Sequence, residues 1–239
     1  MTDRAASPGA TPPEVTLFGH WICPYSVRVS FALAQRRIAH DVVEVPPSAV
    51  RPAGYVVPPE FVAHSPEGEI PLVRVDDTYR ADSLPILEWL EACIPERPLL
   101  PHDEAGRALV RARTSWIDDR VFAPMIGIYY GTRDDRIAAA SDALAAALGE
   151  LGVWLDGDRW LAGSAPSLAE ATVVPLYVRL GALARLGFTG PVDRRVARHV
   201  DRCADLEGWA DVAWTDDQTD ELVGRFRRHR ERAQARRAD

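Results

Sequence analysis

The feature that most constrains the fold is a change of rhythm at Pro95, Pro98 and Pro101. Before this cluster, short apolar runs alternate with helical patterns; after it, no convincing strand occurs. Glu14–Gly19 reads as a strand leading into a turn, 24–37 as a helix with Val27, Phe31 and Ala34 on one face, and His40–Val45 as a second strand. A proline-rich stretch runs from Pro46 to Pro59. Ile70–Val75 and Thr78–Ala81 fit a hairpin turning at Asp76-Asp77, and Ile86, Leu90 and Cys93/Ile94 mark a helix ending before Pro95. The order β-α-β, an irregular segment, then β-β-α is that of a thioredoxin-type sheet. Beyond the prolines the pattern predicts helices over 104–131, 135–155, 167–187, 192–206 and 217–237. The third begins with the capping box Ser167-Leu168-Ala169-Glu170 and is expected to kink at Pro175. The reading is therefore α/β followed by all-α: a tail over 1–13, a thioredoxin-like thiol-binding domain over 14–95, a linker over 96–103, and a helical bundle with a basic tail over 104–239.

Composition narrows the function classes. Of 239 residues, 47% are hydrophobic and 26% charged, the balance of a folded chain rather than a disordered one. No uninterrupted apolar run reaches membrane-spanning length. Residues 1–13 hold no apolar core for a signal peptide, so they read as a flexible tail and the expected compartment is the cytoplasm. A net charge of −7 argues against nucleic-acid binding by the chain as a whole. The charge is uneven, however. Residues 224–239 hold seven arginines against Glu231 and Asp239, leaving about −12 for the remainder. Such a tail is either the solvated end of a last helix or a contact for RNA or an acidic partner. All 28 basic residues are arginine, and asparagine is absent too, which reads as the mark of a GC-rich genome. Cys23, Cys93 and Cys203 are too few and scattered for a disulfide framework, and with no C-x-x-C pair and no zinc-type histidine spacing a metal is not expected.

The chemistry concentrates at Cys23-Pro24-Tyr25-Ser26, where the first strand hands over to the first helix. A cysteine at a helix N-cap faces unpaired backbone N–H groups and the positive end of the helix dipole, an arrangement that lowers a thiol pKa. Pro24 suits the first helical position because its missing N–H was unpaired in any case. Ser26 stands where a resolving cysteine would be, so any disulfide must form with an external thiol.

These residues, with Ser65-Pro66-Glu67-Gly68-Glu69-Ile70-Pro71, Asp82-Ser83-Leu84-Pro85-Ile86 and the Ser167–Glu170 box before Pro175, resemble the landmarks of cytosolic glutathione S-transferases in the right order over about residues 14–215. The resemblance implies the two-domain fold of that family, with glutathione or another low-molecular-weight thiol as cosubstrate and no metal. Cys23 matches the catalytic cysteine of omega-like members, with Pro24 and Tyr25 beside it in the thiol site. Pro71 matches the family's cis-proline, which exposes the backbone of Ile70 to the cysteinyl unit of glutathione. Ser83 matches the residue that holds the γ-glutamyl carboxylate at a helix start, and Asp82 the one facing the γ-glutamyl amine. Independently of the resemblance, both would also serve as helix caps. The lysine that omega-type members use for the glycine carboxylate has no counterpart here, and Arg51 is the candidate substitute. A second, hydrophobic substrate is expected above Cys23, on the helix carrying Trp116, Phe122, Met125, Tyr129 and Tyr130, although such a stripe also describes core. His20 reads either as a base or as a strand-end residue, while Cys93 and Cys203 fit apolar helix faces.

A cysteine-type member implies thiol transfer, deglutathionylation or reductive chemistry on an electrophile or disulfide. Two alternatives stand beside it. One is a glutathione-dependent isomerase or lyase; Val27-Arg28 fits the zeta-type isomerases, but their paired serines fall on Trp21 and Ile22 here. The other is a non-catalytic partner-binding protein of the stringent-starvation type, which Gly187-Phe188-Thr189-Gly190-Pro191 resembles and Cys23 argues against. The resemblance also implies a homodimer, the sheet domain of one subunit against the helices of the other.

Overall fold

The computed structural model describes residues 12–155, 157 and 160–238; all but the last two residues of the expected tail lie outside these. The sheet has the order β2-β1-β3-β4. Strand β1 (Val15–Gly19) lies at its centre, parallel to β2 (Asp41–Glu44) and antiparallel to β3 (Leu72–Val75), which pairs with β4 (Thr78–Ala81). Every residue of β1 is buried because both faces of the sheet are covered. On one face, Val15 and Leu17 join the apolar sides of α1 (Pro24–Gln35) and α3 (Ser83–Cys93). On the other, Phe18 packs with Val45, Phe61, Ile70, Leu72 and Cys23 in a second, smaller core. Phe61 comes from α2 (Pro59–His64), a helix of six residues inside the segment expected to be irregular and too short to show a period.

The proline-rich linker is tied down at both ends. Glu91 of α3 accepts from the N–H groups of Leu99 and Leu100 at 3.1 and 3.0 Å. Buried Arg36 pairs with Glu91 at 3.2 Å and donates to the carbonyls of Ile94 and Glu96. Leu99 in turn offers its carbonyl to Leu168 N–H at 3.1 Å, joining the linker to the helical half. One apolar core then runs from β1, α1 and α3 through Leu99 and Leu100 into the bundle.

The helical half comprises α4 (Glu104–Ile117), α5 (Ala123–Tyr130), α6 (Asp134–Trp154), α7 (Leu168–Tyr177), α8 (Leu180–Leu186), α9 (Arg194–Ala204) and α10 (Asp216–Ala238). Helix α6 has the length and apolarity to cross a membrane, yet Leu144, Leu148 and Leu151 lie in the common core, as in a buried bundle helix. Two expectations change here. The helix expected over 104–131 is interrupted by a π turn at Asp118–Phe122. The helix expected over 167–187 does not merely kink at Pro175; it ends at Tyr177 and restarts at Leu180. Proline supplies no N–H to the preceding turn, and the Pro175 carbonyl is taken by the buried Arg179 side chain at 2.7 Å. The capping box forms as expected. Glu170 Oε2 accepts from Ser167 N–H at 2.7 Å, and Ser167 Oγ accepts from Ala169 N–H at 3.2 Å. Glu170 Oε1 also accepts from Leu161 N–H at 2.6 Å, so a fully buried carboxylate orders the loop ahead of α7.

Candidate active site

The turn after β1 sets the cysteine. Gly19 closes the strand where α1 crosses it: a Cβ there would stand 3.1 Å from Cβ and Oγ of Ser26, a tight approach that glycine leaves free. His20 shapes the turn, its carbonyl accepting from Cys23 N–H at 3.0 Å and its Nδ1 from Ile22 N–H at 3.2 Å. Of the two readings of His20, the structure favours the structural one, for the ring packs on Trp21 away from the cleft. Cys23 is the N-cap of α1, extended at φ −84° and ψ 118°, with Pro24 in the first turn.

Cys23 is 7% exposed. Its Sγ donates to the Ile70 carbonyl at 3.9 Å, and the Ile70–Pro71 peptide is cis. Burial pushes the thiol pKa up, and this outweighs the donors that favour the thiolate: the Ser26 N–H and hydroxyl, the Tyr25 N–H and the charge of Arg179. The expectation that the N-cap would lower this pKa is therefore corrected. Desolvation in the smaller core exceeds the pull of the helix start. The Ser26 hydroxyl is buried with no hydrogen-bond partner, leaving it available to a thiolate.

Arg179, which sequence reasoning did not single out, reaches this site from the helical half. Its guanidinium is fully buried, donates to the carbonyls of Trp21 and Ile22 at 3.2 and 3.3 Å, and stands 4.4 Å from the Trp214 ring centroid. Among the described residues it forms no ion pair, so the Cys23 thiolate is a natural counter-charge.

A cleft of about 610 Å³ opens over Cys23 between the sheet and the helices. Cys23, Pro24, Tyr25, Ile70, Pro71, Asp82 and Ser83 all line it, whereas Arg51, the candidate for the glycine carboxylate, lines a neighbouring cavity instead. Ser83 opens α3 and is 7% exposed. Asp82 precedes it at φ +65°, and its side chain makes no capping bond, contrary to the cap reading. Of the expected second-substrate residues, Tyr129 lines the cleft and its buried hydroxyl has no partner. Trp116, Phe122 and Met125 do not line it. Trp116 packs edge-on against Trp154, Phe122 lies under the Arg28 guanidinium at 4.2 Å, and Met125 is core. The extra residue of a π turn rotates the face that follows it. Ile126, Tyr129 and Tyr130 of α5 therefore look into the cleft, with Asp118 from the turn. Leu222 and Phe226 of α10 close the far wall; their i, i+4 spacing ahead of the arginine run was the available signal. Among the described residues no three His, Cys, Asp or Glu side chains gather as a metal site.

Residues 22–93 match the family described as glutathione S-transferase, N-terminal domain. Over that stretch the chain is similar to the glutathione S-transferase N-terminal domain. It is 34% identical over 95 residues to a maleylacetoacetate isomerase of Rattus norvegicus, covering 40% of this chain and 43% of that one. The chain thus spans less than half the length of that curated relative. Among solved structures, an omega 3C glutathione transferase of Trametes versicolor superimposes with a TM-score of 0.78 at 19% identity, covering 93% of this chain and 94% of that one. A rice glutathione S-transferase in complex with glutathione gives 0.79 at 20% identity, covering 90% and 96%. These likenesses show the two-layer glutathione S-transferase fold across nearly the whole chain.

Proposed function

We propose that this chain is a glutathione S-transferase of the cysteine type, a glutathione-dependent thiol transferase acting on small hydrophobic disulfides or glutathionyl adducts. The observation that carries the reading is the Cys23 sulfur at the start of α1, lining the cleft and bonded to the Ile70 carbonyl, with Ser26 rather than cysteine one turn on. That carbonyl accepts the thiol proton. A peptide-like thiol pairing its own N–H with Ile70 removes this acceptor and leaves only donors and the Arg179 charge around Sγ. The ligand therefore moves Cys23 towards the thiolate. Ser83 and the N–H groups opening α3 suit the γ-glutamyl carboxylate, with Asp82 for the amine.

The Cys23 thiolate attacks the glutathionyl sulfur of R–S–S–G. The new bond joins Cys23 to glutathione, and R–S⁻ departs with the electron pair of the broken S–S bond. A second glutathione thiolate then attacks the mixed disulfide, releasing oxidised glutathione and the Cys23 thiolate. A glutathione-dependent isomerase is the second reading, favoured by the 34% identity to a maleylacetoacetate isomerase. The same proposal includes a homodimer.

Intact-protein mass after incubation with glutathione disulfide tests the reading. One glutathionyl adduct is expected on the wild type and none at this position on Cys23→Ala. A wild type that stays unmodified, or a mutant that gains the same adduct, overturns thiol transfer at Cys23. Net turnover of a glutathionyl substrate to oxidised glutathione separates transfer from isomerisation, which consumes none.

A further inference from the structure

The arginine run at the C-terminus divides into two sets along α10. Arg230 faces the bundle, where it donates to the carbonyls of Ile128 and Leu186 at 2.5 and 2.7 Å. Arg227 reaches the Arg185 carbonyl at 3.4 Å. These two satisfy the backbone at the ends of α5 and α8. Arg225, Arg228 and Arg232, three and four residues apart, share another face and line a second cavity of about 350 Å³ with His229 and Arg51. Its apolar wall includes Tyr130 and Phe226, which also line the cleft over Cys23, so the two spaces adjoin.

Among the described residues no carboxylate lines this second cavity. Arg225 pairs with Glu221 just outside it. Among the described residues Arg51, Arg228 and Arg232 form no ion pair, and Arg51 Nη2 is buried without a hydrogen-bond partner. Gathering guanidinium groups of like charge around a partly enclosed space costs free energy unless an anion enters it. In the adjoining cleft, Ile126, Leu222 and Phe226 form an apolar wall, while Glu69, Asp82 and Asp118 also line it.

We propose that this basic cavity binds an anionic group, a carboxylate, sulfonate or phosphate, carried by the second substrate. The substrate class is then an amphiphile: an apolar body over Cys23 and an acidic end among Arg51, Arg228 and Arg232. This deepens the proposed function and rests on it for the place of the apolar body.

The test is calorimetric binding of 4-phenylbutyrate beside its neutral amide, with wild type and the double variant Arg228→Gln/Arg232→Gln. Neither probe reacts with thiols, so the result is independent of whether Cys23 forms a mixed disulfide. At low ionic strength the carboxylate should bind at least about tenfold tighter than the amide, the factor that two ordinary surface charge pairs supply. The double variant should lose that ratio while binding the amide within about twofold of wild type, which shows the cleft intact. The preference should survive saturating S-methylglutathione. Equal affinities in the wild type, or a preference retained by the double variant, overturn the proposal. So does loss of the preference on adding S-methylglutathione, because the arginines then serve the tripeptide's own carboxylate. Binding of a uridine homopolymer without any preference between the two probes overturns it in favour of a nucleic-acid contact.

Discussion

At Cys23, burial and hydrogen bonding act in opposite senses, and the balance is set by what occupies the cleft. In the free protein burial wins and the thiol stays above its ordinary value of 9.0. Trapping by iodoacetamide should then accelerate with pH along a curve whose midpoint lies above 9.0, and S-methylglutathione should move that midpoint down. Ser26→Ala should move it up by roughly one to two pH units, the worth of one hydrogen bond to a charged sulfur. The linkage has a definite sign. A folded-state pKa above the unfolded one contributes no loss below pH 9.0, and folding stability falls as pH rises beyond it. A midpoint below 8 in the ligand-free protein would refute this account of the site. The position of Cys23 was legible in the sequence, since strand, Cys-Pro and helix are contiguous. Its desolvation was not, for it comes from Phe61, Ile70 and Leu72, all more than thirty residues away.

Among the elements, the π turn has the widest consequences. It places Asp118 where the buried Arg28 of α1 can reach it at 2.6 Å, joining the sheet domain to the bundle beside the cleft. Arg28 has no exposed surface, and its Nε and Nη1 have no partner. Asp118→Asn leaves that charge facing only the rings of Tyr25 and Phe122. The expected cost is about 2 kcal/mol in urea unfolding, below the usual 3–5 for breaking a buried pair because Asp118 is a third exposed. An unchanged midpoint would show that the pair contributes nothing. The turn was illegible because one extra residue barely disturbs a hydrophobic period, yet it moves every later side chain around the axis. That is why Phe122 and Met125 were misplaced. Trp116 lies ahead of the turn, so its place against Trp154 has a separate cause, the packing of α4 beside α6. The capping box, by contrast, was readable because its partners are three residues apart.

For the whole molecule, strand order and the helical second half followed from local patterns. The way the halves join did not, because Arg36 meets Glu91 and Leu168 meets Leu99 across long sequence separations. The proposed homodimer belongs to this scale. Val56 and Val62 of the sheet domain and Leu109 of α4 are exposed large apolar side chains that such pairing would cover, Val56 at 82% exposure. Light scattering should give about twice the 26.4 kDa chain mass, falling to one chain for Val56→Asp. A monomeric wild type would remove the dimer from the proposal.

The cleft's two walls come from opposite ends of the chain, Cys23 and Ile70 from the first third and Leu222 and Phe226 from the last helix. Substitutions in α10 can therefore alter which molecule is accepted without touching the residues around the sulfur. Under the proposed function, reactivity and selectivity are therefore separable traits, each alterable by substitutions at its own end of the chain.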